Sequence, residues 1–375
     1  MTQKILICEP SGRGGIAHYT YSLAVALHEC GEEILLLTDQ HYELADRKIP
    51  FAVEGVFRRS KTNLPRVVQL AARFRPTIVH LQSATHPAMH AALLWSLGKK
   101  CRCPRVVTAH NVTPKGSRAW GRFWSYVLYW TADVVVVHAK VLAEQATMTL
   151  GVPSTRMRVI PHGNYSWQAE GLSTDEYPSE PTLLFFGFIR PEKGVDTLLD
   201  SLPLVAKRHP NVRLVVAGTP EMDLRPLFAK CNELGISGRV EWKAHYISRE
   251  EARKLLLTCT AIVLPYRQAS QSGVVYLAGA FARPVVATRV GAIQDVVQDG
   301  ISGILVPPED PGALGSAIAS LLGDSDRVRL YGQALRAHCE AEYSWEAIAE
   351  HTRAVYGELA APIGKSPFEV DRPVK

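Results

Sequence analysis

Short runs rich in Val, Ile and Leu alternate with helical stretches along this chain, and they do so in two successive sets. The first set falls at residues 4–8, 34–38, 77–81, 105–109 and 133–137. The second falls at 182–186, 212–217, 240–242, 261–264 and 284–288. A strand that feeds a helix before the next strand pairs most readily with a parallel neighbour, and the helices then cover both faces of the sheet. Two such sets predict an α/β chain of two Rossmann-like, doubly wound parallel-sheet domains. With 375 residues, each can bury its own core. Between the sets, 164–181 is polar and rich in Gly, Ser and Pro and reads as a linker. The boundaries expected are 1–165, a linker at 166–181, and 182–342.

Charge narrows the partners. A net charge of +6 suits anionic ligands or an anionic membrane surface, but the chain lacks the dense basic runs of a nucleic-acid binder. Seven cysteines are an odd number without framework spacing, and Cys101 and Cys103 have no matching Cys or His pair nearby, so free thiols are expected rather than a metal site. Met1 leads straight into the first strand, and the expected location is cytoplasmic. The apolar stretch 120–139 is interrupted by Arg122 and Asp133, and reads as a helix followed by a strand, not a membrane span.

Two loops carry the chemistry. After the strand at 182–186 come Gly187, Phe188, Ile189, Arg190, Pro191, Glu192, Lys193 and Gly194, and then a new helix. A strand-loop-helix unit aims backbone N–H groups and the positive helix end at one spot. Two cations there make a diphosphate the natural guest. In the equivalent place of the first set lie Ser11, Gly12, Arg13, Gly14 and Gly15, where glycine allows close backbone approach to a ligand. Tight turns also need glycine, so the pair of loops argues more strongly for a nucleotide-diphosphate site than either alone.

In order along the chain stand Gly14-Gly15, Tyr21 to Leu27, Gly31, Ile160-Pro161-His162-Gly163-Asn164, the loop from Gly187 to Gly194, Val215-Val216-Ala217-Gly218, Pro284 to Thr288, Gly291, and Asp299 to Pro308. This series resembles family 4 glycosyltransferases over nearly the whole chain. The resemblance implies the GT-B fold, two Rossmann-like domains facing across a cleft, with a helix at about 343–360 crossing back onto the first domain. It also implies a nucleotide-sugar donor, retention of anomeric configuration, and no cofactor or catalytic metal. It places Lys193 on the donor diphosphate. The family's usual arginine follows the loop glycine directly, where this chain has Phe188, so Arg190 is expected to take its role. Gly14, Gly15, Gly187 and Gly218 would admit the donor, and His110 would face its sugar. The family's two glutamates, eight positions apart, correspond here to Ala269 and Leu277. The small polar turn Ser270, Gln271, Ser272 and Gly273 is the expected substitute, offering amides and hydroxyls.

Between His110 and residue 131, Trp120, Phe123, Trp124, Val127 and Trp130 recur at helical spacing, with Lys115, Arg118 and Arg122 nearby. The segment 118–130 fits either an interfacial helix meeting anionic headgroups and a lipid-linked acceptor, or an aromatic face packed into the core. The function expected is sugar transfer to a glycan or lipid-linked acceptor. A GT-B sugar-nucleotide epimerase would need catalytic carboxylates with no evident place, and an NAD oxidoreductase built on Gly12, Gly15 and Asp39 lacks the full glycine fingerprint. A non-catalytic nucleotide-sugar-binding homologue is the alternative outside the enzymes.

Overall fold

The computed structural model describes residues 2–58, 61–83, 85–112 and 119–360. The chain forms two compact units. Residues up to 160, together with those from 346 on, make the first, and 161–345 make the second.

The first unit holds β1 (Lys4–Glu9), β2 (Glu33–Asp39), β3 (Ala52–Arg58), β4 (Lys61–Thr62), β5 (Ile78–Ser83), β6 (Arg105–Ala109), β7 (Val134–Val137) and β8 (Met157–Val159). They lie in the order β4-β3-β2-β1-β5-β6-β7-β8, parallel except for the short β3–β4 pair. Every residue of β7 and nearly every residue of β1 is buried, which is why these strands read as continuous apolar runs. Besides the two-residue β4, the sequence pattern did not disclose β3 or β8. The first is an outer strand carrying Glu54 and Gly55, with only Val56 and Phe57 buried, and the second has three residues. The helix Trp345–Ala360 packs into this unit through Ile348, Ala349, Val355 and Tyr356, with Arg353 bonded to Glu32.

The second unit holds β9 (Thr182–Phe186), β10 (Arg213–Ala217), β11 (Val240–Lys243), β12 (Ala261–Leu264), β13 (Val285–Thr288) and β14 (Gly303–Val306). The order is β11-β10-β9-β12-β13-β14, parallel throughout. β14 also escaped the sequence pattern. It follows β13 so closely that a Cβ on Gly303 would stand 2.4 Å from the Val285 carbonyl oxygen.

The stretch 166–181, expected to link the units, belongs to the second. The wholly buried Arg283 explains why. Its guanidinium donates to the carbonyls of Glu176 (2.8 Å) and Leu256 (2.7 Å) and lies 4.3 Å over the Tyr177 ring, while the Tyr177 hydroxyl donates to Ala282. Tyr165, just upstream, is part of the unit's core. A polar, proline-rich sequence is compatible with such docking because its backbone carbonyls are the acceptors.

In each sheet the strand order reverses beside the first strand of its unit, between β1 and β5 and between β9 and β12. Loops leaving the carboxyl ends of those strands part to opposite faces and leave a crevice where ligands bind in such folds.

Candidate active site

At the second unit's reversal, β9 ends in Gly187, whose φ of 124° is open to glycine. Gly218 lies against it from the end of β10, and a Cβ there would stand 1.8 Å from the Gly187 carbonyl oxygen. Both glycines therefore let two strand ends run together. Beyond, Pro191–Lys193 makes one 3₁₀ turn closed by Gly194 at φ 66°, and the helix Val195–Arg208 begins.

This turn is clamped to the loop after β12. Arg267 donates to the Pro191 carbonyl (2.7 Å), grips Asp196 with two bonds of 2.9 and 2.6 Å, and pairs with Glu309 at 3.0 Å, while its amide meets the Glu192 carbonyl. Burial would raise the Asp196 pKa, but the Arg267 hydrogen bonds and charge outweigh it and hold the carboxyl below its ordinary value. Sequence inspection missed Arg267, because nothing local ties it to an aspartate 71 positions away. The clamp delivers Lys193 to its place, with Nζ 3.5 Å from the centroid of the Tyr266 ring. Burial pushes the Tyr266 phenol up to about 12, so the ring stays neutral beneath the ammonium.

Lys193, Gly187, Ser272 and Gly273 are brought together. The Ser272 hydroxyl lies 3.4 Å from that of Tyr266, and a Cβ on Gly187 would be 3.9 Å from Val274, the second residue of the helix Gly273–Ala280. Gln271 adds a buried side-chain oxygen with no hydrogen-bond donor among the described residues. Ser270 is used structurally, its carbonyl accepting from Ala292. Leu277 is buried in the core, and the Ala269 carbonyl lies so close to Gly291 that a Cβ there would stand 1.9 Å from its oxygen. Arg190, expected on the donor phosphate, is engaged by carboxylates of its own unit. It pairs with Glu221 at 2.5 Å, lies 3.8 Å from Glu192, and folds over Phe188.

In the first unit the glycine loop is held by the chain's own carboxylates. Buried Glu9 accepts from the amides of Ser11 (2.9 Å) and Gly12 (2.8 Å), and from the hydroxyls of Ser11 and Thr38. Its pKa is raised by burial, against the pull of those donors. The amide of Gly14, a residue expected to admit the donor, donates to Glu43 at 2.8 Å, and His18 lies 3.5 Å from the same carboxylate. Gly15 follows as the second residue of the helix Gly14–Glu29.

His110 stands just past β6, nearly buried, and lines up with polar groups on the neighbouring strands. Its Nε2 is 2.9 Å from Gln82 Oε1 and its Nδ1 3.2 Å from His138 Nε2, and His138 Nδ1 reaches the Ile160 carbonyl at 3.0 Å. Burial pushes His138 down to about 4 and His80, the next member, down to about 3. Sequence inspection found His110 alone. The missed signal is period-two spacing: His80/Gln82 and Thr108/His110 alternate with apolar residues at the ends of adjacent strands, and His138 follows Val136 in the same way.

In the helix Ala119–Thr131 burial divides the residues by face. Ser125, Leu128 and Tyr129 are buried, whereas Trp120 is 70% exposed, Phe123 51% and Trp130 44%, with Arg122 also exposed. Lys115 and Arg118 lie outside the described residues. No helix among the described residues is long and apolar enough to cross a membrane.

With this geometry in view, the chain can be set beside known proteins. Residues 13–163 match the model described as Glycosyltransferase Family 4, and residues 180–324 that of Glycosyl transferases group 1. The chain is 30% identical to the alpha-maltose-1-phosphate synthase of Mycolicibacterium smegmatis over 323 residues, 76% of this chain and 80% of that one. It is 25% identical to an uncharacterized glycosyltransferase of Methanocaldococcus jannaschii, covering 68% of this chain and 70% of that protein. Among solved structures, Anabaena Alr3699/HepE in complex with UDP-glucose superposes with a TM-score of 0.77 at 17% identity, over 95% of this chain and all of the other. Matched in both halves and related over most of its length to an enzyme of that kind, the chain belongs to the family 4 glycosyltransferases of GT-B fold.

Proposed function

We propose that the chain is a metal-independent, retaining glycosyltransferase, moving a sugar from a nucleoside-diphosphate donor to a glycan or lipid-linked acceptor in polysaccharide or glycoconjugate synthesis. The observation that carries this reading is Lys193, held at the β9/β12 reversal beside the amino end of the Gly273–Ala280 helix. As the bond from C1 to the β-phosphate oxygen breaks, negative charge gathers on the diphosphate. A fixed ammonium and free helix amides stabilise that charge without reorganising. The acceptor oxygen bonds to C1 on the same face, and its proton passes to the departing phosphate oxygen. Gln271 Oε1, buried without a donor, supports a role in accepting from a sugar hydroxyl. His110 is assigned to a second hydroxyl. In this reading the small polar turn stands in for the absent glutamates.

The direct test is a thermal-shift series with UDP-, GDP- and ADP-sugars, followed by turnover of whichever donor binds. A ligand at a hundred times its Kd adds about 2.7 kcal/mol, which for a domain of this size moves the midpoint by roughly 5–10 °C. A flat response across the panel would remove the donor assignment. Binding without turnover would favour the non-catalytic reading.

The acceptor side rests on the exposed aromatic edge of the Ala119–Thr131 helix. Trp and Tyr favour the membrane interface, and each adjacent basic residue contributes roughly 1 kcal/mol on anionic lipid. Arg122→Glu combined with Trp120→Ala and Phe123→Ala is expected to reduce pelleting with anionic liposomes, more so at low salt, while transfer to a short soluble acceptor survives. Liposome binding equal to wild type would exclude this face as the membrane contact.

A further inference from the structure

The polar side chains at the carboxyl ends of β5, β6 and β7 form one directed chain, and its direction assigns a proton. The Ile160 carbonyl can only accept, so His138 carries a proton on Nδ1. His138 is buried and neutral, which leaves Nε2 as a lone pair, 3.2 Å from His110 Nδ1. His110 must then carry its proton on Nδ1. At the other end, the Tyr356 hydroxyl lies 2.5 Å from His80 Nδ1, and His80 Nε2 lies 2.7 Å from Thr108 Oγ1 and 3.3 Å from Gln82 Nε2.

All members can be neutral with every donor matched in one arrangement. Tyr356 donates to His80 and His80 to Thr108 and the Gln82 oxygen. The Gln82 nitrogen donates to His110 Nε2, His110 to His138, and His138 to Ile160. This exchanges the two ends of the Gln82 amide, whose oxygen is placed toward His110 and nitrogen toward His80, an exchange that the hydrogen-bond network assigns because the two ends have the same shape. The opposite orientation would require a second proton on His110, a cation at a ring that is 7% exposed. Among the described residues, the titratable groups packed on the pair include Tyr19 from the Gly14–Glu29 helix, whose ring meets both imidazoles edge-on at 4.9 Å, then His80 from β5, and, beyond His80, Tyr356 from the Trp345–Ala360 helix.

We propose that His138 and Gln82 are positioning residues that hold His110 as the neutral Nδ1–H tautomer, so that Nε2 offers a lone pair. This rests on the assignment of His110 to a sugar hydroxyl and deepens it. A hydroxyl that takes the place of the Gln82 amide must donate to His110, and a substrate with hydrogen or fluorine at that position cannot. In the unliganded protein the Gln82 amide keeps the lone pair satisfied.

Two-bond 1H–15N correlation spectra of histidine-labelled protein at neutral pH read the tautomer directly. The expected His110 pattern has a protonated Nδ1 and an unprotonated Nε2. An Nε2–H tautomer or a doubly protonated ring would overturn the proposal, and the wild-type spectrum alone decides this. His138→Phe should abolish the Nδ1–H preference and lower kcat by about tenfold, the low end for losing an orienting partner. His138→Gln, which can still accept from Nδ1, should restore both. If His138→Phe keeps the wild-type tautomer, His138 does not position His110. If the tautomer is as expected but no nucleotide-sugar is turned over, the relay stands and the transferase reading falls.

Discussion

Replacement of Lys193 by alanine is expected to slow sugar transfer by about a hundredfold or more, the usual cost of removing one preorganised charge from a developing anion. Lys193 is the cation that the β9 loop delivers to the Tyr266 ring, and Arg267 holds that loop through Pro191 and Asp196. The loss should fall on kcat as well as on donor affinity, because the charge on the leaving diphosphate grows toward the transition state. Arg190→Ala provides the contrast. Its guanidinium is paired with Glu221 and Glu192 and lies over Phe188, so its removal should cost far less. Steady-state kinetics on both variants check this. A Lys193→Ala enzyme with wild-type turnover would remove the proposed phosphate site, and equal losses in the two variants would mean that Arg190 leaves Glu221 when donor binds.

Gly194→Ala is expected to be among the most damaging single methyl groups in the site. A left-handed φ of 66° costs an alanine about 1 kcal/mol. Here the added Cβ would also stand 1.9 Å from the Pro265 carbonyl oxygen, backbone against backbone, with no flexible side chain to yield. Either the Lys193 turn or the β12 loop must move, so donor affinity should fall together with stability, the latter by about 3 kcal/mol or more for strain of this kind. Gly14→Ala separates the two contributions. Its φ is 69°, almost the same, but nothing lies within 4 Å of the added carbon. It should lose only about 1 kcal/mol. Thermal unfolding of the pair tests the argument, and equal midpoints would show that the close approach at Pro265 is relieved without cost.

The sequence alone was sufficient for the two α/β units and most of their central strands, because strands buried on both faces must be apolar throughout and the helices between them must be amphipathic. The strands it left hidden, β3, β4, β8 and β14, are short or lie toward the edges of their sheets, where half-exposure or close backbone approach erases the pattern. The position of Lys193 was legible for a related reason: a loop between a buried strand and a helix has only one end of the sheet to occupy. What charges do once they arrive was not legible. Arg190 turning to Glu221, Glu43 taking the Gly14 amide, Arg267 bracing the turn from across the loop, and His138 backing His110 all join residues far apart in sequence. Such partnerships depend on distance in space and on which groups are buried. Only the tertiary structure, by bringing strand ends together, decided which polar groups are spent on one another.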